Sequence, residues 1–208
     1  LSFTAIRNMI AKNLATIKDA RAANSSNTIV DVMLSGLACM YYQSPSLLEF
    51  QRKMEKKEQR NNLRSMFTVQ SLPTDQGMRN IIDQIDSETA FRPIFKELFN
   101  KLQRGKYLEQ YQTLPGKYLL NVDGTQYYSS DKVDCQHCLV RGTKNKQYNC
   151  HQVLQGAIVK ADLRQVIPLM PEEIRAQDGE IKEDCETNAF KRFLAKFRKD
   201  HDKLGIII

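Results

Sequence analysis

The sequence predicts an α+β fold in which an all-helical N-terminal domain, residues 1–112, is followed by a sheet domain, residues 113–208. Two observations indicate this division. Through the first half, apolar residues recur at intervals of three and four, as on one face of a helix. Near residue 112 the interval changes to two, which is typical of strands with one buried face.

The overall composition is that of a globular chain with a basic balance. Of 208 residues 41% are hydrophobic, and 31 Lys and Arg outnumber 24 Asp and Glu, giving a net charge of +7. This excess favours an anionic partner such as nucleic acid. No stretch approaches the roughly 18 apolar residues of a membrane span, and the N-terminus lacks the pattern of a signal peptide. We therefore expect a cytoplasmic protein with no membrane partner, and the first residue, Leu1, and the apolar "LGIII" near the end indicate a fragment.

The helical half begins with two apolar segments. One face of the first helix carries an apolar series at helical spacing, namely Phe3, Ile6, Ile10, Leu14 and Ile17. The second segment, "IVDVMLSGLACMYY", is apolar nearly all round, which predicts a helix at the centre of a cluster. After Pro45, "SLLEFQRKMEKKEQR" predicts one helix with a serine cap and a charged end in solvent.

The next segment, "SLPTDQGMRNIIDQID", predicts a short helix capped by Thr74 or Asp75. Together with the helix before it, this segment has the outline of a helix-turn-helix motif, although plain helix packing explains the same pattern. The candidate DNA contacts are Arg79, Arg64, Arg60 and Lys57. "SETAFRPIFKELFNKLQRG" then predicts a helix that ends at Gly105, with Pro93 marking a kink or the first turn.

The second half predicts three strands, a helix and a last strand. The strands are "KYLLNVD" at 117–123, "QVLQGAIVKAD" at 152–162 and "RQVIPLM" at 164–170, with an inserted cysteine-containing loop at about 131–150. "IKEDCETNAFKRFLAKFRKDH" predicts the helix. The branched-aliphatic run in "LGIII" predicts a strand in the buried middle of a mixed or parallel sheet.

Asp123 lies where the first apolar run meets Gly124, and two interpretations are open. An Asp-Gly pair between two β-prone runs is a strong signal for a hairpin with a type I′ turn. A carboxylate at the end of such a run is equally suited to hold a metal ion.

The order strand, strand, strand, helix, strand resembles the opening of the ribonuclease H-like fold, in which a catalytic Asp lies on the first strand. The resemblance implies that residues 204–208 pair beside the first strand. The blocks "YLLNVDGTQYYSSDKVDCQHCL", "HQVLQGAIVKADLRQVIPLMPEEI" and "DGEIKEDCETNAFKRFL" resemble DDE-type transposases of bacterial insertion sequences. The resemblance implies DNA transposition by metal-dependent strand cleavage and strand transfer, with two Mg²⁺ or Mn²⁺ ions held by two Asp and one Glu. Asp123 matches the first Asp, whereas the other two carboxylates would follow Ile208, so we expect this fragment to be inactive alone.

The same resemblance implies double-stranded DNA as the partner, both as element ends and as target, and allows a homodimer on that DNA. A further acidic residue, Glu186, shares the inward face of the last helix with Phe190 and Phe193. Either Glu186 is stabilised by free amides at the helix N-terminus, or it is a second catalytic carboxylate at the metal centre of Asp123.

The cysteines offer a second candidate metal site. Cys135 and Cys138 have the spacing with which two thiolates reach one Zn²⁺ ion, and Cys150 and His151 follow after a polar loop. Adjacent residues of a strand point to opposite faces, so Cys150 and His151 would rarely both bind the ion. The sequence favours Cys135, Cys138 and His151 over Cys150 and over His137, and the alternative is a set of reduced thiols in the inserted hairpin.

Three function classes follow from these patterns. The first is a transposase segment that combines a helical DNA-binding domain with the first half of a ribonuclease H-like domain. The second is a nonenzymatic nucleic-acid-binding protein with a zinc knuckle, in which Asp123 is a turn residue. The third is a metal-dependent nuclease unrelated to transposition, which shares Asp123 alone.

Overall fold

The computed structural model describes residues 2–19, 21, 25–143, 146–175 and 185–208, and it confirms the α+β class. The chain divides into two compact units, Leu1–Lys101 and Leu102–Ile208. The sequence places the change of structure at residues 112 and 113, and the first strand of the sheet begins at Gln112.

Six helices form the helical part of the chain within the described residues. They are α1 Phe3–Leu14, α2 Ile29–Tyr41, α3 Leu47–Met54, α4 Lys57–Phe67, α5 Asp75–Ile82 and α6 Ser87–Arg104. Helix α2 lies at the centre, as its apolar sequence predicts, with Val32, Leu34 and Ala38 at most 1% exposed. Among the described helices, none combines the length and apolar composition that crossing a membrane requires.

The prediction of a single helix after Pro45 is wrong, because the helix is interrupted between Met54 and Lys57. Ser46 caps α3 as predicted, accepting a hydrogen bond from the third amide of the helix. Residues 55–62 contain no apolar side chain. A break there lets the second helix return Leu63 and Phe67 to the core, where both are at most 1% exposed.

Helix α5 begins as predicted, with Thr74 as its N-cap. Its apolar face buries Met78 fully, and Arg79 is half exposed on the outer side. The connection from α4 runs through residues 68–74, so it is longer than the three- or four-residue turn typical of a helix-turn-helix motif. Helix α6 ends before Gly105 as predicted but continues through Pro93, which lies beyond its first turn.

The sheet unit contains β1 Gln112–Leu114, β2 Lys117–Ser130, β3 Leu139–Thr143, β4 Lys146–Val159, β5 Ile167–Pro168, β6 Glu172–Ile174, helix α7 Glu186–Asp200 and β7 Gly205–Ile207. Strands β2 and β4 pair antiparallel along most of their length, and β5 and β6 both pair with β4. Strand β7 pairs parallel with β2. The predicted neighbours of the first strand are therefore confirmed, whereas β1, β3 and β6 were not predicted.

The prediction of a hairpin turn at Asp123 and Gly124 is wrong, because β2 continues through both residues to Ser130. Asp123 lies opposite Gln155 of β4, and Gly124 lies opposite Leu154. The hairpin signal is local, whereas the long pairing with β4 favours an extended backbone at every residue of this stretch.

Helix α7 packs on the face of the sheet that carries the even-numbered residues of β4 and, before the register shift at Tyr127, those of β2. Leu120 and Ile158 face each other there and are at most 1% exposed. Phe193 of α7 lies against Gly156 of β4. At the edge of this contact, the buried carboxylate of Glu172 in β6 accepts hydrogen bonds from two cations of α7.

Candidate functional site

Asp123 lies in the middle of β2 with an exposed side chain. Its Oδ1 accepts a hydrogen bond of 2.9 Å from the amide of Gly124, which holds the carboxylate along the strand. Opposite it, the Gln155 amide donates to the backbone oxygens of Gly156, at 2.7 Å, and Leu169, at 2.9 Å. Because neighbouring residues of a strand point to opposite faces, Asp123 lies on the face that α7 does not cover.

Glu186 is the first residue of α7, and its side chain lies directly over Gly124. A Cβ atom added to Gly124 would lie within 2.6 Å of the Glu186 carboxyl carbon, so Glu186 occupies the space over this glycine. Gly124 points to the face that α7 covers and Asp123 to the other face, so the two carboxylates lie on opposite faces of β2. The position of Glu186 at the helix N-terminus fits the first interpretation of this residue, and its role as a ligand beside Asp123 stays a prediction.

A carboxylate such as Asp123 offers the oxygen ligands that a hard cation takes, and such an ion keeps several waters. Within the described residues, neither Asp123 nor Glu186 belongs to a compact group of three or more Asp, Glu, His or Cys ligands. An ion at Asp123 would take its remaining ligands from water and substrate.

The predicted DNA contacts are distributed over two helices. Lys57, Arg60 and Arg64 follow one another at intervals of three and four residues and form one exposed face of α4. Arg60 and Arg64 also line a cleft of about 340 Å³, together with polar side chains including Gln70 and Ser71. Arg79 lies on α5, 3.9 Å from Asp75. The structure thus brings Arg60 and Arg64 to one cleft, which Glu55 also lines, whereas Asp75 lies beside Arg79.

The second candidate site is a cluster of Cys135, Cys138 and His151, whose ligand atoms all lie within 4.8 Å of one another. The two sulfurs are 3.7 Å apart, and Nε2 of His151 lies 3.4 Å from each sulfur. His151 belongs to β4, whereas the two cysteines belong to the turn between β2 and β3. The favoured ligand triad is therefore the one that the structure brings together.

The other two candidate ligands lie outside this cluster. Cys150 is fully buried and lies opposite Ser129 and Leu139, whereas His151 lies opposite Tyr128. Cys150 thus points to the opposite face of β4, as the alternation of side chains predicts. The ring of His137 lies 3.0 Å from the Gln136 amide nitrogen and is not a member of the ligand group.

Local turn chemistry positions the two cysteines. The hydroxyl of Ser130 accepts hydrogen bonds from the amides of Lys132 and Val133 at 3.1 and 2.9 Å, which turns the chain at the end of β2. A backbone hydrogen bond of 3.1 Å from Cys138 to the Cys135 carbonyl then closes a tight turn. The spacing of two residues between the cysteines places both sulfurs on one side of that turn.

Tyr127 is a neighbour of this cluster that sequence reasoning missed. It lies at a shift of register in β2, between Gln126 and Tyr128, and its ring stacks on His151 with centroids 5.9 Å apart. Desolvation raises the pKa of the Tyr127 hydroxyl, and the nearby Glu173 carboxylate raises it further. Desolvation also raises the pKa of the Cys138 thiol. The sequence gives no signal for this register shift. Because Tyr127 and Tyr128 are adjacent and chemically alike, the pattern does not show which of them lies on the same face as His151.

We compared the chain with protein-family models, with curated proteins and with solved structures, and none of them matches it.

Proposed function

We propose that the chain is part of a DDE-type transposase and that its sheet unit is the first half of a ribonuclease H-like catalytic domain. The observation that carries this proposal is the parallel pairing of β7 with β2 at Lys117–Leu119, after helix α7, with Asp123 further along the same strand. Three further features agree with it, since β4 is antiparallel to β2, β5 pairs with β4, and α7 covers one face.

In this proposal Asp123 holds a divalent cation on the face of β2 that α7 leaves open. The ion, Mg²⁺ or Mn²⁺, supplies Lewis-acid stabilisation of a phosphodiester oxygen when it is bound. Asp123 is exposed, and its Oδ1 accepts a hydrogen bond from one amide. Glu186 lies on the opposite face, at the helix N-terminus, where negative charge is favoured.

A single Asp does not hold two cations about 3.5–4 Å apart, as phosphodiester transfer by two metals requires. The resemblance implies a second Asp after the fourth strand and a Glu further along the chain. We therefore expect residues 1–208 to bind DNA without cleaving or joining it, and we assign strand transfer to the complete transposase.

The helical unit supplies the DNA-binding surface in this proposal. Lys57, Arg60 and Arg64 present three cations along one helix face, and a cleft beside two of them accommodates a phosphate group. Cations at this spacing neutralise phosphates and release counterions from DNA, so binding weakens as salt rises.

Binding is tested by fluorescence anisotropy of labelled duplexes, with and without candidate element ends, over a series of salt concentrations. Replacement of both Arg60 and Arg64 by Gln should lower the slope of log affinity against log salt by about two, since each lost phosphate contact lowers it by about one. The charge-matched control replaces by Gln two lysines that lie outside the cleft, Lys12 and Lys101. This control should leave the slope of log affinity against log salt nearer to its original value. Absence of binding even at low salt would refute the DNA-binding role.

Metal binding at Asp123 is tested with Mn²⁺. The chain is first treated with zinc, so that the cluster of Cys135, Cys138 and His151 is occupied, and Mn²⁺ is then titrated in and followed by electron paramagnetic resonance. Asp123→Asn should weaken Mn²⁺ binding by about tenfold or more, the loss typical of disturbed metal sites. Glu186→Gln should change the affinity little, because Glu186 lies on the opposite face of the strand, and a loss as large as that of Asp123→Asn would show that both carboxylates reach one ion. The control is Asp162→Asn, which changes an exposed carboxylate in a loop and should leave the affinity for Mn²⁺ unchanged. Equal affinities in all four proteins would refute the metal site. Mn²⁺-dependent nicking of duplex DNA that disappears in Asp123→Asn would instead show a complete active site within these residues.

The second candidate function is nonenzymatic nucleic-acid binding with a zinc knuckle. The observation that favours it is the compact group of Cys135, Cys138 and His151. Salt-dependent DNA binding without any effect of Asp123→Asn on Mn²⁺ affinity would favour this function over transposition.

A further inference from the structure

We propose that Cys135, Cys138 and His151 bind one Zn²⁺ ion that ties the segment between β2 and β3 to strand β4. The proposal rests on the sheet unit alone and does not depend on transposition. The cluster joins a turn at residues 135–138 to a residue of the longest strand pair, so an ion there links parts of the chain that share few buried side chains.

The three distances within the cluster are those of a tetrahedral zinc site. With zinc–sulfur bonds of about 2.3 Å and a zinc–nitrogen bond of about 2.0–2.1 Å, tetrahedral angles place two sulfurs about 3.8 Å apart and each sulfur about 3.5 Å from the nitrogen. The observed separations are 3.7 Å between the sulfurs and 3.4 Å from His151 Nε2 to each sulfur. All three edges of the ligand triangle agree with those of the zinc site to about 0.2 Å, within the tolerance for a metal site.

Backbone amides around the sulfurs stabilise negative charge on them. The amide of Cys135 donates to Sγ of Cys138 at 3.3 Å, and the amide of His137 donates to Sγ of Cys135 at 3.4 Å. Hydrogen bonds from amides to metal-bound thiolates orient such ligands and favour the charged form.

The imidazole is held as a metal site requires. Nε2 of His151 points at both sulfurs, so in the metal-bound form the ring carries its proton on Nδ1. The rings of Tyr127 and Tyr128 lie against it at 5.9 and 5.7 Å. These two contacts restrict rotation of the imidazole and leave Nε2 directed at the sulfurs.

The donor set selects the metal. Two thiolates and one imidazole suit Zn²⁺, whereas Mg²⁺ and Ca²⁺ take oxygen ligands. Within the described residues no further Cys, His, Asp or Glu belongs to the group, and Cys135 is exposed, so the site opens to solvent.

The ion has a structural consequence for the segment that it holds. Of residues 131–138, Cys138 alone is buried, so the apolar contacts of this segment are few. Zinc bonds from its two cysteines to His151 hold the segment on β4, and removal of the ion should loosen it while the rest of the sheet stays folded.

The first experiment measures zinc in the 208-residue chain, purified under reducing conditions without chelator, by inductively coupled plasma mass spectrometry. We expect about one equivalent of zinc per chain, and less than about a tenth in Cys138→Ser and His151→Gln, because each variant removes one of three protein ligands. Cys185→Ser is the matched control, since it changes a thiol outside the cluster, and it should retain the zinc.

The second experiment keeps the proposal testable if a variant folds poorly. Metal-free chain is prepared with a chelator, checked for folding by circular dichroism, and titrated with Co²⁺. We expect the visible bands of tetrahedral Co²⁺ and a thiolate charge-transfer band, which one equivalent of Zn²⁺ abolishes. Protection of residues 131–138 against hydrogen exchange should rise as the metal binds.

A folded chain that contains no zinc and gives no tetrahedral Co²⁺ spectrum would overturn the proposal. Retention of full zinc by folded Cys138→Ser would overturn the ligand assignment. None of these readouts involves DNA or Mn²⁺, so failure of the zinc site and failure of the proposed transposase function are observed separately.

Discussion

Replacement of Gly156 by Ala tests the packing of helix α7 on the sheet. A Cβ atom at this position would lie within 3.0 Å of Cε2 of Phe193 and closer still to its Cζ. Phe193 is 4% exposed and stacks on Phe197, with ring centroids 6.1 Å apart, so its ring has no free space to enter. The added methyl group must therefore displace the helix or distort β4.

Overpacking of this kind costs about 1–3 kcal/mol of unfolding free energy. For a unit of this size, each kcal/mol lowers the melting temperature by about 4–8 °C. Because the chain has two compact units, a global transition mixes their stabilities. We would therefore follow native-state hydrogen exchange of the β4 amides alongside urea denaturation, so that the loss is assigned to the sheet unit.

Gly124→Ala is the matched control, since it adds the same methyl group on the same face of the sheet. There the obstacle is the Glu186 carboxylate, the end of a flexible and exposed side chain that can move into solvent. We expect a change within about 0.5 kcal/mol, as for ordinary surface substitutions. Gly156→Ala combined with Phe193→Leu should recover part of the loss, with a coupling of about 0.5–3 kcal/mol. Equal stability of the two glycine variants, with no coupling to Phe193, would refute this packing.

Two further predictions concern single interactions. Glu172→Gln should cost about 1–3 kcal/mol in urea denaturation, because it leaves the partly exposed cations of Arg192 and Lys196 without their buried carboxylate. Glu173→Gln, whose partner is a half-exposed surface cation, should cost less than about 1 kcal/mol, and equal losses would contradict the buried role of Glu172. Thr74→Ala should cost about 1 kcal/mol by removing the side-chain cap of α5, measured by the same method. Thr74→Ser should retain most of that stability, and a loss as large as that of Ala would argue against the cap.

Much of the fold could be predicted from the sequence because apolar periodicity reports burial directly. The apolar run at 204–208 predicted a buried strand, and the resemblance placed it beside the first strand, where β7 pairs, although β7 is half-buried. The break between α3 and α4 could not be predicted, since Glu55 and Lys56 are compatible with helix and only the need to bury Leu63 sets the break. The prediction of a hairpin turn at Gly124 was wrong for a related reason. Its neighbourhood has the residues of a hairpin turn, but the glycine makes room for a side chain 62 positions later in the chain.

For the candidate sites, too, one part could be predicted from the sequence and another could not. Cys135, Cys138 and His151 could be selected from spacing and strand alternation, which are local properties. The stacking of Tyr127 on His151 depends on a shift of register between two strands, which no local pattern encodes. The approach of Glu186 to Gly124 depends on the path of the chain through the four strands between β2 and α7, so the sequence could give only alternatives for Glu186.

Strand alternation separates stability from metal binding in the sheet unit. Gly156 points to α7, whereas Asp123 and His151 belong to the opposite face of the β2–β4 pair. The bulge at Tyr127 preserves this separation, because it shifts the register by one residue and places Tyr128 opposite His151. Substitutions on the α7 face should therefore change unfolding free energy at little cost to either metal site. Asp123→Asn and His151→Gln should each impair one site and leave the packing of α7 intact.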